Sequence, residues 1–274
     1  MSLRCRSAKK DTFLRCDSAS PGISKMKVGL IFLLFLTTTN QQKMSPEAKH
    51  LEMKGFIARS CLDYLEHGVL ESDFYWLFDN KDRRYVAYCD LSSEPGSAST
   101  LVMSFNRANK NLLQFQRKSF LDDAPINHNT PNWYSYRQTL ERMKNIRSRS
   151  SHWRATCSFN SKQVIDYRDY MRGKFSDFDI MTFLGDGKCQ PVEYVNIRGH
   201  AAGSGTTAQF WQMLNSYILH INSESTGCGF KPNIGAIPSE DNFGFYGSLN
   251  SNFRCTASDD STTQWWFGGY LAKA

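Results

Sequence analysis

The stretch from Asp73 to Leu91 reads DFYWLFDNKDRRYVAYCDL and indicates β-structure. Its first part, Phe74–Phe78, is aromatic and apolar, a composition that is typical of strands. A charged turn follows at Lys81–Arg84, and Tyr85–Cys89 forms a second strand-like run. The stretch therefore predicts two short strands separated by a turn.

Helix and loop signals flank this stretch on both sides. Ser60-Cys61-Leu62-Asp63 has the pattern of a capping box and predicts a short helix that ends near Gly68. Further upstream, Ser45-Pro46-Glu47 combines an N-cap serine with a proline at the first helical position, which predicts another helix start. Downstream, Ser92–Ser99 is expected to be a loop and Thr100–Phe105 a further strand.

The rest of the chain continues this mixture of elements. Apolar residues recur at helical spacing over residues 136–147, whereas His152–Phe159 alternates as a strand does. Val192–Ile197 also predicts a strand, and the strongly apolar Phe210–Ile221 fits either type. From residue 222 onward Gly, Ser, Asn and Pro dominate. The expected fold class is α+β, with short strands in mixed sheets, a few helices and a loop-rich carboxyl-terminal part.

A short apolar leader precedes this folded part. Val28–Leu36 reads VGLIFLLFL, and nine residues are too few for a membrane-spanning helix, which takes about 20. With its lysine flank the run is typical of a signal peptide. The predicted organisation is an upstream extension (1–25), a signal peptide (26–40), a short segment (41–59) and one domain (60–274). We expect a secreted, extracellular protein with no stable membrane span. An uncleaved signal anchor and a buried strand are the alternatives for this run.

The net charge of +7 suggests nucleic-acid binding, but the distribution of the charged residues along the chain argues against it. Residues 1–40 contain seven of the 33 Lys and Arg residues but two of the 26 Asp and Glu residues. The remaining 234 residues therefore carry 26 basic and 24 acidic side chains. A nearly neutral body has little electrostatic attraction for a phosphate backbone, so no nucleic-acid partner is expected.

Eight cysteines divide into two groups around the leader. Cys5 and Cys16 precede it, and six follow: Cys61, Cys89, Cys157, Cys189, Cys228 and Cys255. An even number behind a signal peptide predicts three disulfides, although six cysteines allow about 15 pairings. We expect sequential pairing, Cys61–Cys89, Cys157–Cys189 and Cys228–Cys255. Zinc binding is disfavoured because no CxxC pair exists.

Four features in order resemble the opening of fibrinogen-related domains. They are Ser60-Cys61-Leu62-Asp63-Tyr64, Asp73-Phe74-Tyr75-Trp76-Leu77, Tyr85-Val86-Ala87-Tyr88-Cys89-Asp90-Leu91 and Thr100-Leu101-Val102. The opening is equally similar to that of intelectins, and Trp265-Trp266 is similar to a tryptophan pair near the family's carboxyl end. The resemblance covers roughly residues 60–105 clearly and 240–270 faintly. It implies a fibrinogen C-terminal-like fold that is held together by disulfides. One of these disulfides would be Cys61–Cys89.

This chain departs from the family pattern in three places, one of which is its middle, including Ser151-His152-Trp153-Arg154-Ala155-Thr156-Cys157. Gly96-Ser97-Ala98-Ser99 stands where the family has Gly-Gly-Trp. The family's short Asp-x-Asp calcium motif is also missing, and Glu240-Asp241-Asn242 is the nearest sequence to it. The resemblance therefore implies a divergent member of the family. It supports the expected fold more strongly than it supports any particular binding residue.

Candidate binding residues concentrate near the carboxyl terminus. Oxygen ligands suit a hard cation such as Ca²⁺, and the predicted ligands are Glu240, Asp241, Asn242, Asp259 and Asp260. Aromatic residues interleave with them, and an aromatic platform beside a carboxylate suits a sugar, which has apolar faces and a hydroxyl rim. The predicted ligand-binding residues are Phe245, Tyr246, Trp265, Trp266 and Tyr270. The alternative is that these aromatics form a satellite core.

These patterns predict a lectin-like recognition protein that binds glycans or acetylated groups, with Ca²⁺ as the candidate cofactor. The alternative is an extracellular matrix or structural protein that uses the same fold for protein–protein contacts. No enzyme is expected, because the HExxH, GxSxG and GxxxxGK[ST] motifs are all absent. Convergence of a histidine, an aspartate and a nucleophile in one cleft would favour a secreted enzyme instead. The sequence leaves the oligomeric state open.

Overall fold

The structure is a computed structural model that describes residues 48–49 and 55–272. The predicted extension (1–25), the predicted signal peptide (26–40) and the helix start at Ser45 lie outside the described residues. No helix among the described residues is long and apolar enough to cross a membrane.

The described residues form short helices and thirteen strands. The helices are α1 (Cys61–Glu66), α2 (Leu113–Gln116), α3 (Leu140–Ser148) and α4 (Phe159–Lys162), with a 3₁₀ turn at Arg107–Asn109. The first strands are β1 (Asp73–Phe78), β2 (Arg84–Asp90), β3 (Ser97–Asn106), β4 (Ser135–Arg137), β5 (His152–Cys157) and β6 (Tyr170–Lys174). The others are β7 (Gly185–Val192), β8 (Tyr194–Ile197), β9 (His200–Ala202), β10 (Thr206–Met213), β11 (Tyr217–Asn222), β12 (Asp241–Asn242) and β13 (Thr262–Tyr270).

Two sheets contain all of these strands. The large sheet has the order β1-β2-β3-β13-β5-β6-β8-β9, with β4 pairing β3, and the small sheet has the order β12-β11-β10-β7. Every strand pair in both sheets is antiparallel. The expected α+β class with disulfides is therefore confirmed, whereas the expectation of mixed sheets was wrong. Short connections explain the difference, because antiparallel neighbours need no long crossover.

The opening elements follow the sequence prediction closely. The backbone N–H of Ser60 donates to Oδ2 of Asp63 over 2.8 Å, which is half of the predicted capping box at the start of α1. Strands β1 and β2 pair from Asp73 opposite Cys89 to Phe78 opposite Arg84. The two predicted strands and the turn between them are therefore an antiparallel hairpin.

The predicted helix over 136–147 begins later than expected. Residues 135–137 form β4 beside β3, and α3 starts after Thr139, whose side chain accepts from the N–H of Arg142. The Arg137 side chain is fully buried and donates to main-chain carbonyls, including that of Gln114 at 2.6 Å. These tertiary partners fix the segment as a strand although its apolar spacing fits a helix.

The carboxyl-terminal part contains a strand that the loop-rich composition did not predict. Strand β13 pairs β3 on one side and β5 on the other, which places it in the interior of the large sheet. Gly268 is needed there, because a Cβ atom would lie 2.0 Å from the carbonyl oxygen of Ala98. Glycines that indicate a loop in the sequence instead permit close strand packing.

The core lies on both faces of β13. Trp265 belongs to the main apolar cluster, which also includes Phe210 and Leu219 of the small sheet. Trp266 belongs to a second cluster with Tyr88 and Trp133. Consecutive strand residues point to opposite faces, so the tryptophan pair holds two apolar layers together.

Three disulfides staple this fold. Cys61–Cys89 is confirmed and joins α1 to β2. The other two pairs are Cys157–Cys255 and Cys189–Cys228, so sequential pairing was wrong for four of the six cysteines. The reason is long-range: β5 lies beside β13, so Cys157 meets Cys255 at a Cα separation of 4.6 Å across 98 residues of chain.

Candidate functional site

The predicted calcium ligands at 240 and 242 belong to a buried polar network. The Glu240 carboxylate is paired with the Arg198 guanidinium and accepts from Asn250 Nδ2 over 2.7 Å. Asn242 Nδ2 donates to the same carboxylate over 3.0 Å. These oxygens are therefore satisfied by the chain's own donors, which leaves Glu240 little capacity to bind a cation.

The other predicted calcium ligands lie in different surroundings. Asp259 is an exposed residue whose Oδ1 lies 2.8 Å from Nη2 of Arg107, and Asp260 is exposed. Within residues 48–49 and 55–272 no group of three or more His, Cys, Asp or Glu side chains could hold a metal ion. Among these described residues, the five predicted ligands are therefore not gathered into one group that could hold Ca²⁺.

The predicted aromatic platform divides between the core and the surface. Trp265, Trp266 and Tyr246 are buried, so these side chains present almost no surface to a ligand. Their polar atoms are also occupied: Trp265 Nε1 donates to the carbonyl oxygen of Phe243 over 2.9 Å. Phe245 is partly exposed and Tyr270 is 36% exposed. For the buried three, the alternative of a satellite core describes their position.

Phe245 joins a group of rings on the outer face of the small sheet. Trp211 of β10 lies opposite His220 of β11, and their rings stack with centroids 6.0 Å apart. The Tyr217 ring lies 5.5 Å from the His220 ring, and so does the Phe245 ring. We call Trp211, Tyr217, His220 and Phe245 the small-sheet aromatic cluster.

Strand geometry explains why the cluster faces outward. Ala208 and Phe210 of β10 are fully buried in the main core, so Trp211, next along the strand, points to the other face. The neighbouring β7 leaves room for the indole, because Gly187 has no side chain. A Cβ atom at Gly187 would lie 2.9 Å from Cζ2 of Trp211. The sheet thus presents a half-buried indole.

A carboxyl group lies beneath this cluster. Asp241 Oδ1 is 3.7 Å from Nε2 of His220, and both side chains are almost completely buried. Burial raises the pKa of Asp241 to about 7, aided by the nearby carboxylates of Glu224 and Glu240. Burial lowers the pKa of His220 to about 4, so its imidazole is neutral at physiological pH. A carboxyl with a strongly raised pKa beside partly exposed rings is a common property of binding sites.

The rim of the cluster adds polar and apolar groups. The Tyr217 hydroxyl donates to Oδ1 of the exposed Asp186 over 3.3 Å. Met213 and Leu214, at the turn between β10 and β11, are 41% and 48% exposed. The cluster therefore has aromatic faces at its centre, with a carboxylate and two apolar side chains at its edge.

A hollow beside α4 and β6 is the competing candidate. Its volume is about 270 Å³ and its wall includes Asp166, Asp169 and Arg254. Arg254 Nη1 lies 2.7 Å from both Asp166 oxygens, and Asp169 accepts the N–H groups of Arg198 and Arg254. Because these charges are already paired within the chain, the hollow offers a ligand less than the small-sheet cluster does.

Sequence reasoning identified Asp241 and Phe245 but missed Trp211, Tyr217 and His220. The alternation of Gln209-Phe210-Trp211-Gln212-Met213 was the available signal for a strand with one aromatic face outward. The long apolar run to Ile221 concealed it, because such a run also fits a helix.

Comparison of the chain with protein-family models and with curated proteins gives no match. The resemblance to fibrinogen-related domains therefore stays a prediction from the motifs of residues 60–105.

Proposed function

We propose that this protein is a secreted, lectin-like recognition protein that binds glycans, including acetylated sugars, at the small-sheet aromatic cluster. The proposal extends to the fold family: the chain would be a divergent fibrinogen-related domain. The observation that supports the site is the group of partly exposed rings of Trp211, Tyr217 and Phe245 around a buried imidazole.

The chemistry of a sugar matches this surface. Pyranose rings have patches of C–H groups that pack on aromatic faces, and their hydroxyls need acceptors at the edge. The indole of Trp211 supplies the face, and the carboxylate of Asp186 supplies an acceptor at the rim. Rigid aromatic side chains lose little conformational entropy on binding, which favours recognition by a preformed surface.

A protein partner is the second candidate, and one observation favours it. Met213 and Leu214 expose 41% and 48% of their surface next to the same rings. Exposed apolar side chains around an aromatic centre are also typical of protein–protein interfaces. In this alternative the chain acts as an extracellular matrix or structural protein.

A glycan array separates the two candidates. The full chain, expressed through a secretory pathway, is applied with Ca²⁺ and with chelator, and Trp211→Ala is applied in parallel. We expect glycan binding by the wild type and at least tenfold weaker binding by the variant, because truncating an aromatic hot spot costs about 2 kcal/mol or more, whereas a tenfold change needs about 1.4 kcal/mol. No binding by folded wild-type protein in either condition would favour the protein-partner candidate.

The samples with chelator test separately whether glycan binding depends on Ca²⁺. Binding that survives chelator leaves the aromatic cluster as the site without the cation. Binding that vanishes would mean that a cation site forms with the ligand. The variant Asp241→Asn then decides whether that carboxyl takes part, since the substitution preserves its shape and removes its charge.

A further inference from the structure

A serine, a histidine and a glutamate form a chain of hydrogen bonds where β5 begins in the large sheet. Ser151 Oγ lies 2.7 Å from Nδ1 of His152, and His152 Nε2 lies 3.2 Å from Oε2 of Glu193. The carboxylate can only accept, so the imidazole carries its proton on Nε2. Nδ1 is then free to accept the proton of the serine hydroxyl.

Main-chain contacts hold the serine in this position. The carbonyl oxygen of Ser151 accepts the N–H of Phe175 over 2.9 Å, and His152 pairs with Lys174 in the sheet. Gly269 of β13 provides the space, because a Cβ atom there would lie 2.8 Å from Ser151 Oγ. A glycine in the middle of three paired strands thus leaves room for the hydroxyl.

The histidine and the glutamate are held equally well. Glu193 Oε2 accepts from Nε of Arg172 over 3.0 Å, and Oε1 lies 3.3 Å from Nζ of Lys174. The Tyr270 ring packs edge-on against the imidazole at 5.1 Å. Burial lowers the pKa of His152, with Arg172 and Lys174 acting in the same direction and Glu193 opposing them. The imidazole is thus neutral near pH 7, as a base must be.

The serine opens onto a cleft. Ser151 is exposed, and the cleft beside it has a volume of about 380 Å³ and includes Arg147, Lys174 and Phe175 in its wall. The Arg147 guanidinium lies over the Phe175 ring at 4.5 Å. Both cationic side chains of the wall are paired within the chain, Arg147 with Asp179 at 2.9 Å and Lys174 with Glu193 at 3.3 Å. The cleft therefore supplies space beside the exposed hydroxyl for a small uncharged molecule.

We propose that Ser151 is a nucleophile, activated by His152 and oriented through Glu193, that hydrolyses small carboxylic esters in this cleft. Nucleophile, base and orienting acid form a hydrogen-bonded chain as in acyl-transfer sites, but the serine contacts Nδ1 and the acid contacts Nε2, which is the reverse of the usual triad, and there is no GxSxG motif. The site shares no residue with the small-sheet aromatic cluster, so it stands or falls independently of glycan binding.

The reaction balances with water as the only co-reactant. Ser151 Oγ bonds to the ester carbonyl carbon while its proton moves to Nδ1 of His152. The ester C–O bond then breaks, and the departing alcohol takes that proton. Water next attacks the acyl-serine, passes a proton through His152 to Ser151 Oγ, and releases the carboxylic acid.

Labelling with a fluorophosphonate probe and hydrolysis of p-nitrophenyl acetate test this proposal on the full secreted chain. We expect probe attachment at Ser151 by mass spectrometry, and a rate above that of buffer that falls at least about 100-fold in Ser151→Ala. Ser148→Ala is the matched control and keeps the full rate. The residue is exposed, and its hydroxyl donates to the carbonyl oxygen of Asn145 in its own helix.

The pH profile separates a base from a structural histidine. The rate of the wild type should rise with pH and reach half of its maximum below pH 6.5, the ordinary pKa of histidine. His152→Gln should abolish this rise while the melting temperature stays near that of the wild type. An unlabelled wild type, or a Ser151→Ala variant as active as the wild type, would overturn the proposal.

Discussion

Two regions of the molecule bury charged groups, and they do so in different ways. In the large sheet, Arg154 is buried between Asp90 and Glu94, with Nη1 2.7 Å from Oε2 of Glu94. In the small sheet, Asp241 and His220 are buried 3.7 Å apart, beyond hydrogen-bonding distance. The first group is held by ion pairs, although Nε of Arg154 has no hydrogen-bond partner, whereas in the second the carboxyl and the imidazole make no hydrogen bond to each other.

The electrostatic consequences are opposite. Burial alone would raise the pKa of Asp90, but Arg154 and the hydroxyl of Ser93 bring it below its ordinary value. Burial raises the pKa of Asp241 to about 7, with the carboxylates of Glu224 and Glu240 acting in the same direction and the backbone N–H of Gly247 opposing them. Removing one partner of the large-sheet group would leave an uncompensated buried charge, whereas the small-sheet carboxyl belongs to the proposed binding site.

The largest expected effect concerns the disulfides that tie each region. Removing Cys157–Cys255 with a double alanine substitution frees a loop of 98 residues, and removing Cys189–Cys228 frees one of 39. The chain-entropy relation gives losses of about 4.7 and about 3.9 kcal/mol in the free energy of unfolding. Denaturant unfolding of both double variants checks this order. Peptide mapping that found Cys157–Cys189 instead would contradict the strand arrangement itself.

The next effect concerns the buried ion pairs of the large sheet. Arg154→Met leaves Asp90 and Glu94 buried without their partner, and we expect a loss of about 3–5 kcal/mol in the free energy of unfolding. Arg117→Ala is the control, because that arginine is exposed at the end of α2 and should change stability by less than about 0.5 kcal/mol. Similar losses of unfolding free energy in both variants would show that the buried ion pairs of Arg154 contribute no more to stability than an exposed arginine does.

The smallest effect concerns the buried pair of the small sheet. Because the folded-state pKa of Asp241 is raised from 3.8 to about 7, its contribution to stability is full below pH 3.8 and is lost as pH rises through 7. Asp241→Asn should therefore stabilise the fold by about 2–3 kcal/mol more at pH 8 than at pH 5. Urea unfolding at the two pH values measures this difference.

His220 contributes a pH dependence of the free energy of unfolding that is opposite to that of Asp241, so the pH prediction needs a control. The depressed pKa of His220 gives stability that is present above pH 6.5 and is lost as pH falls through about 4. The wild-type and Asp241→Asn proteins share this contribution, so their difference isolates the carboxyl. Asp260→Asn, at an exposed position, should show no pH-dependent change. An equal effect of Asp241→Asn at both pH values would contradict the raised pKa.

Local signals in the sequence predicted local structure well. The capping box at Ser60, the hairpin strands and the disulfide Cys61–Cys89 all depend on residues fewer than 30 positions apart. Their physical causes, namely capping, alternation and a short loop, can be read directly from neighbouring residues.

Non-local pairing is what the sequence concealed. Strand β13 was missed because Gly268 and Gly269 resemble a turn, although they are needed for close packing against β3 and for the Ser151 hydroxyl. The stacking of Trp211 on His220 depends on which residues of β10 and β11 stand opposite each other. Register of this kind follows from the whole sheet and not from one strand.

The comparison of two tryptophans tests the central claim most directly. Trp211 and Trp76 are both half-buried strand residues, but Trp76 lies in the large sheet with the Arg84 guanidinium 4.8 Å from its ring centroid. The measurement is the Kd of the strongest array glycan for wild type, Trp211→Ala and Trp76→Ala. The account predicts at least tenfold weaker binding for Trp211→Ala and less than a twofold change for Trp76→Ala. Equal effects, or a loss confined to Trp76→Ala, would contradict it.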